Sequence, residues 1–242
     1  MRPTPREKPP GSSGLKAAER MESEMLGLTL GTEGQTLKVL CLGAHCDDIE
    51  IGCGGTILEL TKSRNIDCSW VVFCSNEIRA KEAQTCATAF LKDATHRDIR
   101  INSFRDGFLP YVGYEVKDYF EALKKDINPD VIFTHYRNDK HQDHRLLSEL
   151  ALNTFRDHLI LEYEIPKYDG DMGQPNLHVE ISQDMVDKKV DLIYRNYVSQ
   201  QGKKWFDKDL FRSLMRIRGM EINSVSDFSE SFYSYKVLTN IL

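Results

Sequence analysis

From Leu37 onward, the chain alternates between short apolar runs and longer segments with helical spacing of apolar residues. Residues 37–42 (LKVLCL) form an apolar run bounded by turn residues, a pattern typical of a strand that is buried on both faces of a sheet. The next segment, 54–65, carries apolar residues at helical spacing. The pattern therefore predicts a strand followed by a helix.

The same alternation recurs three times. Strands are predicted at 68–74, about 100–105 and 131–134, with helices at about 79–91, 116–125 and 145–157. Such a series favours a parallel sheet with right-handed crossover connections. After residue 158 the pattern changes to candidate strands at 159–165 and 177–182, helices at about 183–199 and 207–219, and an apolar stretch at 232–238. We predict a single three-layer, Rossmann-like α/β domain with a mainly parallel sheet over 37–242.

The first 36 residues have a different composition. They contain four of the eight prolines and a GSSG tetrapeptide, which predicts a flexible tail. They lack the apolar segment of a signal peptide, and no stretch of 18 apolar residues occurs anywhere in the chain. We therefore expect a cytoplasmic protein without a membrane span. The six cysteines do not form CxxC pairs, which is typical of reduced, packed thiols.

Composition and charge narrow the class of partner. With 242 residues, 40% of them hydrophobic, the chain is long enough to bury a substantial core. Its 32 Lys and Arg residues are outnumbered by 37 Asp and Glu residues, which gives a net charge of −5. No global positive field is available to bind nucleic acid. We expect a small-molecule partner, and the sequence leaves open whether the chain forms a homo-oligomer.

Two polar clusters directly follow predicted strands. Residues 43–48 (GAHCDD) follow the first strand, and residues 135–144 (HYRNDKHQDH) follow the fourth. The carboxyl ends of parallel strands lie at the same rim of a sheet, where ligands bind in open α/β folds. We therefore expect the two clusters to share one site.

The residue types in these clusters indicate metal-assisted hydrolysis. His45, Asp48 and His144 provide two imidazoles and one carboxylate, the ligand set with which a catalytic zinc keeps a position for water. Asp47 is then free to act as the general base. Asp and His residues as in either cluster alone often cap helices or lie in loops. Two such clusters, each between a predicted strand and a predicted helix, favour a metal site.

Three further residues of the second cluster have candidate roles. We expect His141 to polarise the substrate carbonyl oxygen and Asp143 to hold His141 in the required tautomer. His135, the first residue after the fourth predicted strand, is either a supporting donor at the metal site or merely a histidine on the rim.

These motifs resemble those of the PIG-L deacetylases, also called LmbE-like proteins. Residues 44–48 match the AHPDD signature of the family, residues 141–144 match its HxDH signature, and residues 51–56 (IGCGGT) are similar to the sequence after the first motif. The resemblance implies a zinc-dependent enzyme that removes acetyl groups from N-acetylglucosamine-type sugars. It implies one Zn²⁺ on His45, Asp48 and His144, although Fe²⁺, Co²⁺ and Mn²⁺ accept the same donors. It also implies Asp47 as the base and a carbonyl-polarising His141 tuned by Asp143.

Two positions depart from the family pattern. Cys46 and Gln142 stand where the family usually has proline, so both loops lose the restraint that proline places on φ. The thiol of Cys46 is either a packed group near the metal or a soft ligand. Arg79 and Asp106 look like the residues with which the family contacts sugar hydroxyls, and the alternative for both is a surface ion pair.

A basic segment near the carboxyl end has two interpretations. Lys208, Arg212 and Arg216 are spaced four residues apart on one predicted helix face. They form either a solvated helix face or a site where Arg212 and Arg216 bind a phosphate carried by the substrate.

Together, these features predict a zinc-dependent hydrolase that removes the N-acetyl group from an amino sugar, its glycoside or its nucleotide conjugate. The alternatives are a metallo-hydrolase of another amide or an ester, and a non-catalytic metal- or sugar-binding module. The residues themselves indicate metal-assisted hydrolysis, and the amide comes from the resemblance.

Overall fold

The computed structural model describes residues 25–32 and 34–239, and this part of the chain forms one seven-stranded sheet flanked by six α-helices. The strands are β1 (Leu37–His45), β2 (Ile66–Cys74), β3 (His96–Phe104), β4 (Val131–His135), β5 (Leu159–Tyr163), β6 (Leu177–Glu180) and β7 (Ser229–Ser234). The helices are α1 (Asp48–Ser63), α2 (Glu77–Phe90), α3 (Gly113–Asp126), α4 (Gln142–Thr154), α5 (Gln183–Asn196) and α6 (Lys208–Glu221).

The sheet is mainly parallel, and the predicted fold class is confirmed. Its strand order is β3-β2-β1-β4-β5-β7-β6. The first five strands pair in parallel, whereas β7 pairs antiparallel with both β5 and β6. Because β1 lies between β2 and β4, the loops that follow β1 and β4 emerge side by side.

Each face of the sheet packs against its own layer of helices. Val39 and Cys41 of β1 belong to the core under α1, α2, α5 and α6, whereas Leu40 and Leu42 belong to the core under α3 and α4. Successive side chains of a strand point to opposite faces, so a strand covered on both sides shows no polar alternation. Burial of each Leu side chain contributes about 1.5–3 kcal/mol.

The starts of β3 and α1 differ most from the sequence-based prediction. β3 begins at His96, earlier than predicted, because its first residues lie at the exposed edge of the sheet and are polar. α1 begins at Asp48, whereas the pattern predicted a start near residue 54. The first turns of this helix contain glycines, which local propensity disfavours in a helix, and the pattern therefore missed them. A Cβ added at Gly52 would lie 2.1 Å from Cδ2 of Tyr163, so close packing on β5 requires glycine inside this helix.

The structure describes only part of the amino-terminal segment that was predicted to be a flexible tail. Residues 1–24 lie outside the described residues, and the described residues before Leu37 contain neither a helix nor a strand. All six cysteines are buried and free of disulfide bonds. Within the described ranges, no helix has the length and apolar character needed to cross a bilayer.

Candidate metal centre

The two polar clusters meet at the carboxyl ends of β1 and β4. These strands are neighbours, and Cys41 pairs with Phe133 in the register between them. β1 ends at His45, and α1 begins only three residues later, at Asp48. Asp47 lies between them and turns the chain with a φ of 105°. A non-glycine residue in this region is strained, and such strain is found mostly at functional sites.

Three donor atoms form a compact triangle at this rim. Nδ1 of His45 lies 3.1 Å from Nε2 of His144 and 3.3 Å from Oδ2 of Asp48. The third side, between Nε2 of His144 and Oδ2 of Asp48, is 3.5 Å. A tetrahedral zinc with ligands at about 2.0–2.1 Å separates its donor atoms by about 3.3–3.4 Å. The donor set and its spacing therefore fit one divalent ion.

The opposite ring nitrogens of both histidines contact carboxylates. Nδ1 of His144 lies 2.9 Å from Oδ2 of Asp139, and Nε2 of His45 lies 3.2 Å from Oδ2 of Asp143. A carboxylate on the outer nitrogen places the proton there and directs the lone pair of the inner nitrogen toward the metal. Burial lowers the pKa of His144 to about 3, which keeps the imidazole in the neutral form that binds metals.

Asp47 is next to the triangle but makes different contacts. Its Oδ1 accepts a hydrogen bond from Nη2 of Arg79 at 2.9 Å, and its Oδ2 has no partner among the described residues. Burial raises the pKa of this carboxyl group to about 8, and a bound cation would favour its ionised form. A buried carboxylate oxygen with no partner, on a residue that lines a cavity, is a candidate proton acceptor.

The contacts of Asp143 correct one expectation. Its carboxylate accepts hydrogen bonds from the backbone N–H groups of Gly107 at 2.7 Å and Leu109 at 3.1 Å, in addition to its contact with His45. Only its backbone N–H contacts His141, donating to Nδ1 at 3.3 Å. The carboxylate of Asp143 therefore contacts His45 and the 107–109 loop, whereas His141 is held by the backbone N–H of Asp143.

His135 supports the site from within the core. It is fully buried, its Nε2 accepts the backbone N–H of Ala44 at 2.9 Å, and its ring stacks on that of His144 at 3.8 Å between centroids. The same Nε2 lies 3.2 Å from Oδ2 of Asp48. Of the two interpretations left open by the sequence, these contacts favour the supporting one.

Cys46 is packed beneath the site. Its thiol donates a hydrogen bond to the backbone oxygen of Cys74 at 3.5 Å, and burial raises its pKa to about 12. Because metals bind the thiolate, these contacts favour the packed interpretation over the ligand.

Comparison with known proteins gives a family for this part of the chain. Residues 40–155 match the family model of PIG-L, described as GlcNAc-PI de-N-acetylase. We refer to residues 40–155 as the PIG-L segment. The match confirms the resemblance predicted from the two motifs, and with it the expectation of an enzyme of the de-N-acetylase class.

Solved structures with the same fold include proteins of different activity. An N,N'-diacetylchitobiose deacetylase from Pyrococcus horikoshii is 24% identical, with 81% of this chain and 83% of that chain covered and a TM-score of 0.64. A conserved protein from Thermus thermophilus is 21% identical, with coverages of 85% and 98% and a TM-score of 0.66. A 4-carboxy-2-hydroxymuconate hydratase from Pseudomonas putida is 14% identical, with coverages of 86% and 100% and a TM-score of 0.63. At these identities the likeness shows the fold alone.

Two residues of the site escaped the sequence analysis. Asp139 accepts hydrogen bonds from His144 through Oδ2 and from the backbone N–H of His141 through Oδ1. A search for the carboxylate that orients a ligand histidine could have found it, since it lies in the same loop. Lys167, 2.9 Å from Asp139 Oδ2, lies outside the PIG-L segment, and no motif marks it.

The candidate metal centre lies at a cavity of about 240 Å³. From the PIG-L segment, the cavity is lined by His45, Asp47, Asp48, Ile51, Arg79, Asp106, His141 and His144. The rest of the lining, the cavity wall, comes from residues 165–169, Gln200, Lys203 and Trp205, all of which lie beyond that segment. Oδ1 of Asp106 lies 3.1 Å from Nε2 of His45. Arg79 and Asp106 therefore both reach the cavity, although each already contacts a residue of the metal centre.

The structure does not bring Arg212 and Arg216 to this site. Neither is among the described residues that line the cavity. Arg212 forms an ion pair with Asp187 of α5, and Arg216 pairs with Asp227 at 3.4 Å. Of the two interpretations left open by the sequence, these contacts favour a solvated helix face with local ion pairs.

Proposed function

We propose that this protein is a metal-dependent hydrolase, with Zn²⁺ as its preferred ion, that removes the N-acetyl group from an amino sugar or an amino-sugar conjugate. The observation that carries the proposal is the donor triangle of His45, Asp48 and His144 beside the free carboxylate oxygen of Asp47. The family description of the matched segment, a de-N-acetylase, supports an amide as the substrate.

The donor set suits a borderline divalent ion. Two imidazoles and one carboxylate bind Zn²⁺ well, and Fe²⁺, Co²⁺ and Mn²⁺ accept the same ligands. When bound, such an ion polarises the amide carbonyl and lowers the pKa of the attacking water.

Asp47 has the position of the general base. Arg79 holds its Oδ1, its Oδ2 has no partner among the described residues, and Asp47 lines the cavity. We infer that Oδ2 takes the proton from the attacking water and later transfers it to the leaving amine. The left-handed backbone at Asp47 allows consecutive carboxylates to serve two roles, with Asp48 as the ligand.

His141 has the position of a donor to the carbonyl oxygen. Its Nδ1 accepts the backbone N–H of Asp143, so the proton of the neutral ring is on Nε2. His141 is half-buried and lines the cavity, where an Nε2–H group stabilises negative charge that develops on the carbonyl oxygen. Arg79 and Asp106 lie at the same cavity and are the candidates for contacts with sugar hydroxyls.

The test is a measurement of acetate release by zinc-loaded and chelator-treated protein. The substrates are N-acetylglucosamine glycosides, lipid-linked forms and nucleotide sugars, and matched O-acetyl esters form a second arm. We expect acetate and a free amine from at least one N-acetyl sugar, dependent on metal. His144→Ala should abolish turnover, whereas His158→Ala should not, because His158 contacts Asn128 away from the cavity. Zinc binding without acetate release from any amide would contradict the proposal, and cleavage of esters alone would replace it.

A further inference from the structure

One lysine connects the candidate metal centre to the cavity wall. Lys167 follows β5, and its side chain is 13% exposed. Its Nζ lies 2.9 Å from Oδ2 of Asp139 and 2.8 and 2.6 Å from the two carboxylate oxygens of Asp171. Oδ2 of Asp139 is also the atom that accepts the hydrogen bond from Nδ1 of His144. One ammonium group therefore contacts the carboxylate that orients a candidate metal ligand.

The segment that contains Lys167 forms part of the cavity wall. Residues 165–169 all line the cavity, and the structure assigns neither helix nor strand to residues 164–176. Without a backbone ladder, the position of this segment depends on side-chain contacts. Asp171 supplies a second contact, because its Oδ2 accepts the backbone N–H of Lys140 at 2.6 Å. The wall is thus tied to the loop between β4 and α4, which ends at His141 and leads to His144 in the first turn of α4.

The charges make Lys167 the central element of this connection. Asp139 is 2% exposed and the side chain of Asp171 is 5% exposed, so both carboxylates lie out of water. The ammonium group of Lys167 contacts both carboxylates. Removing one partner from a buried ion network leaves charges without compensation, which is strongly unfavourable. Loss of the ammonium group would therefore drive the wall away from Asp139.

We propose that Lys167 is a positioning residue that couples metal binding at His144 to the order of the cavity wall. The inference rests on the proposed metal site and substrate cavity. A coupling between two sites is reciprocal. Metal binding should therefore hold the wall in place, and an ordered wall should strengthen metal binding through Asp139 and His144.

The test uses Zn²⁺ alone as the probe and does not depend on turnover. Zinc affinity is measured by competition with a chelator, and hydrogen exchange of residues 164–173 is followed with and without zinc. In the wild type, zinc should slow exchange in the wall. Lys167→Met should weaken zinc binding by about 10-fold or more, the usual size for removing support from a ligand histidine, and should abolish the effect of zinc on the wall. Lys167→Arg should keep zinc affinity within about threefold of the wild type, because it retains the charge.

Two further variants separate coupling from loss of fold. Asp171→Asn keeps the contact between Lys167 and Asp139 but weakens the hold on the wall, so exchange in the wall should rise. Because the coupling is reciprocal, zinc affinity should fall as well, but by less than in Lys167→Met. Lys117→Met is the matched control, because Lys117 pairs with Glu121 at 2.5 Å on α3 and does not line the cavity. It should change neither quantity.

Each outcome decides the inference. Wild-type zinc affinity in Lys167→Met, or an equal effect of zinc on the wall in both proteins, would overturn it. If Lys167→Met does not fold, unchanged wall exchange in Asp171→Asn would overturn it as well. The proposed deacetylation fails separately, since a protein that releases no acetate can still show all of these zinc effects.

Discussion

Gly52 controls how closely α1 packs on the sheet, and replacing it tests that packing. The residue lies four positions after Asp48, and a Cβ there would lie 2.1 Å from Cδ2 and 2.5 Å from Cγ of Tyr163. Carbon atoms in ordinary contact are about 3.5 Å apart, so the helix and the ring must separate by about 1.4 Å. Tyr163 has little room to move, because its hydroxyl donates to Leu42 O at 2.7 Å and its ring packs against His135 at 4.9 Å.

The magnitude follows from two opposing effects on the free energy of unfolding. Overpacking of a core costs about 1–3 kcal/mol, and more where neighbours cannot move. Alanine in a helix recovers up to about 1 kcal/mol relative to glycine. Since Tyr163 has little room to move, the upper end of the overpacking cost applies, and Gly52→Ala should destabilise the protein by about 2 kcal/mol or more. Its Tm should fall by roughly 4–8 °C at about 2–4 °C per kcal/mol. Because the shift displaces Asp48, zinc affinity should also fall by about 10-fold.

The matched control is the same substitution in another helix. Gly113 of α3 has a φ of −56°, and no atom lies within 4 Å of the Cβ that alanine would add. Gly113→Ala should leave Tm unchanged or raise it, with zinc affinity unchanged. Calorimetry of the metal-free proteins and chelator competition measure both effects. Wild-type stability and zinc affinity in Gly52→Ala would refute the reasoning, since they would show that Tyr163 withdraws without cost.

Three other predictions concern the site. Asp47→Asn should retain zinc and lose about 10²–10⁴-fold in turnover, whereas Asp48→Asn should lose zinc; the reverse pattern of metal content would exchange the base and the ligand. His141→Ala should slow acetate release by about 10²–10³-fold with zinc retained, and loss of the metal would instead make His141 a ligand. Arg212→Ala should leave the KM of phosphorylated and neutral N-acetyl sugars within about twofold of the wild type, because an exposed ion pair contributes little. A rise in KM for the phosphorylated sugar alone would restore the phosphate site.

The central strands could be predicted because burial on both faces leaves a continuous apolar run. This holds for β1, β2 and β4, which are almost wholly buried. The start of β3 could not be predicted in the same way, since an edge strand exposes polar residues. The start of α1 contains glycines that local propensity disfavours, and tertiary contacts explain them. A Cβ at Gly52 would meet Tyr163, and a Cβ at Gly54 would lie 2.7 Å from Phe90.

The candidate ligands could be located because they lie next to the ends of strands. His45 closes β1, and the loop after β4 leads directly to His144. Which carboxylate orients which histidine could not be read in this way. Asp143 is two residues from His141, yet its side chain contacts His45, because its direction is set by the backbone amides of the 107–109 loop.

The division of the cavity between two parts of the chain explains why the reaction is easier to infer than the substrate. The candidate ligands and the base lie in the PIG-L segment, where spacing relative to strands makes them recognisable. The wall beyond that segment includes Trp205 and Lys203, whose Nζ lies 2.7 Å from Oε1 of Gln200 and 5.7 Å from the centroid of the Trp205 ring. Aromatic and cationic side chains that line a cavity can select among substrates by stacking and charge. Since no motif fixes such residues, proteins that share the metal site can differ in substrate through this wall alone.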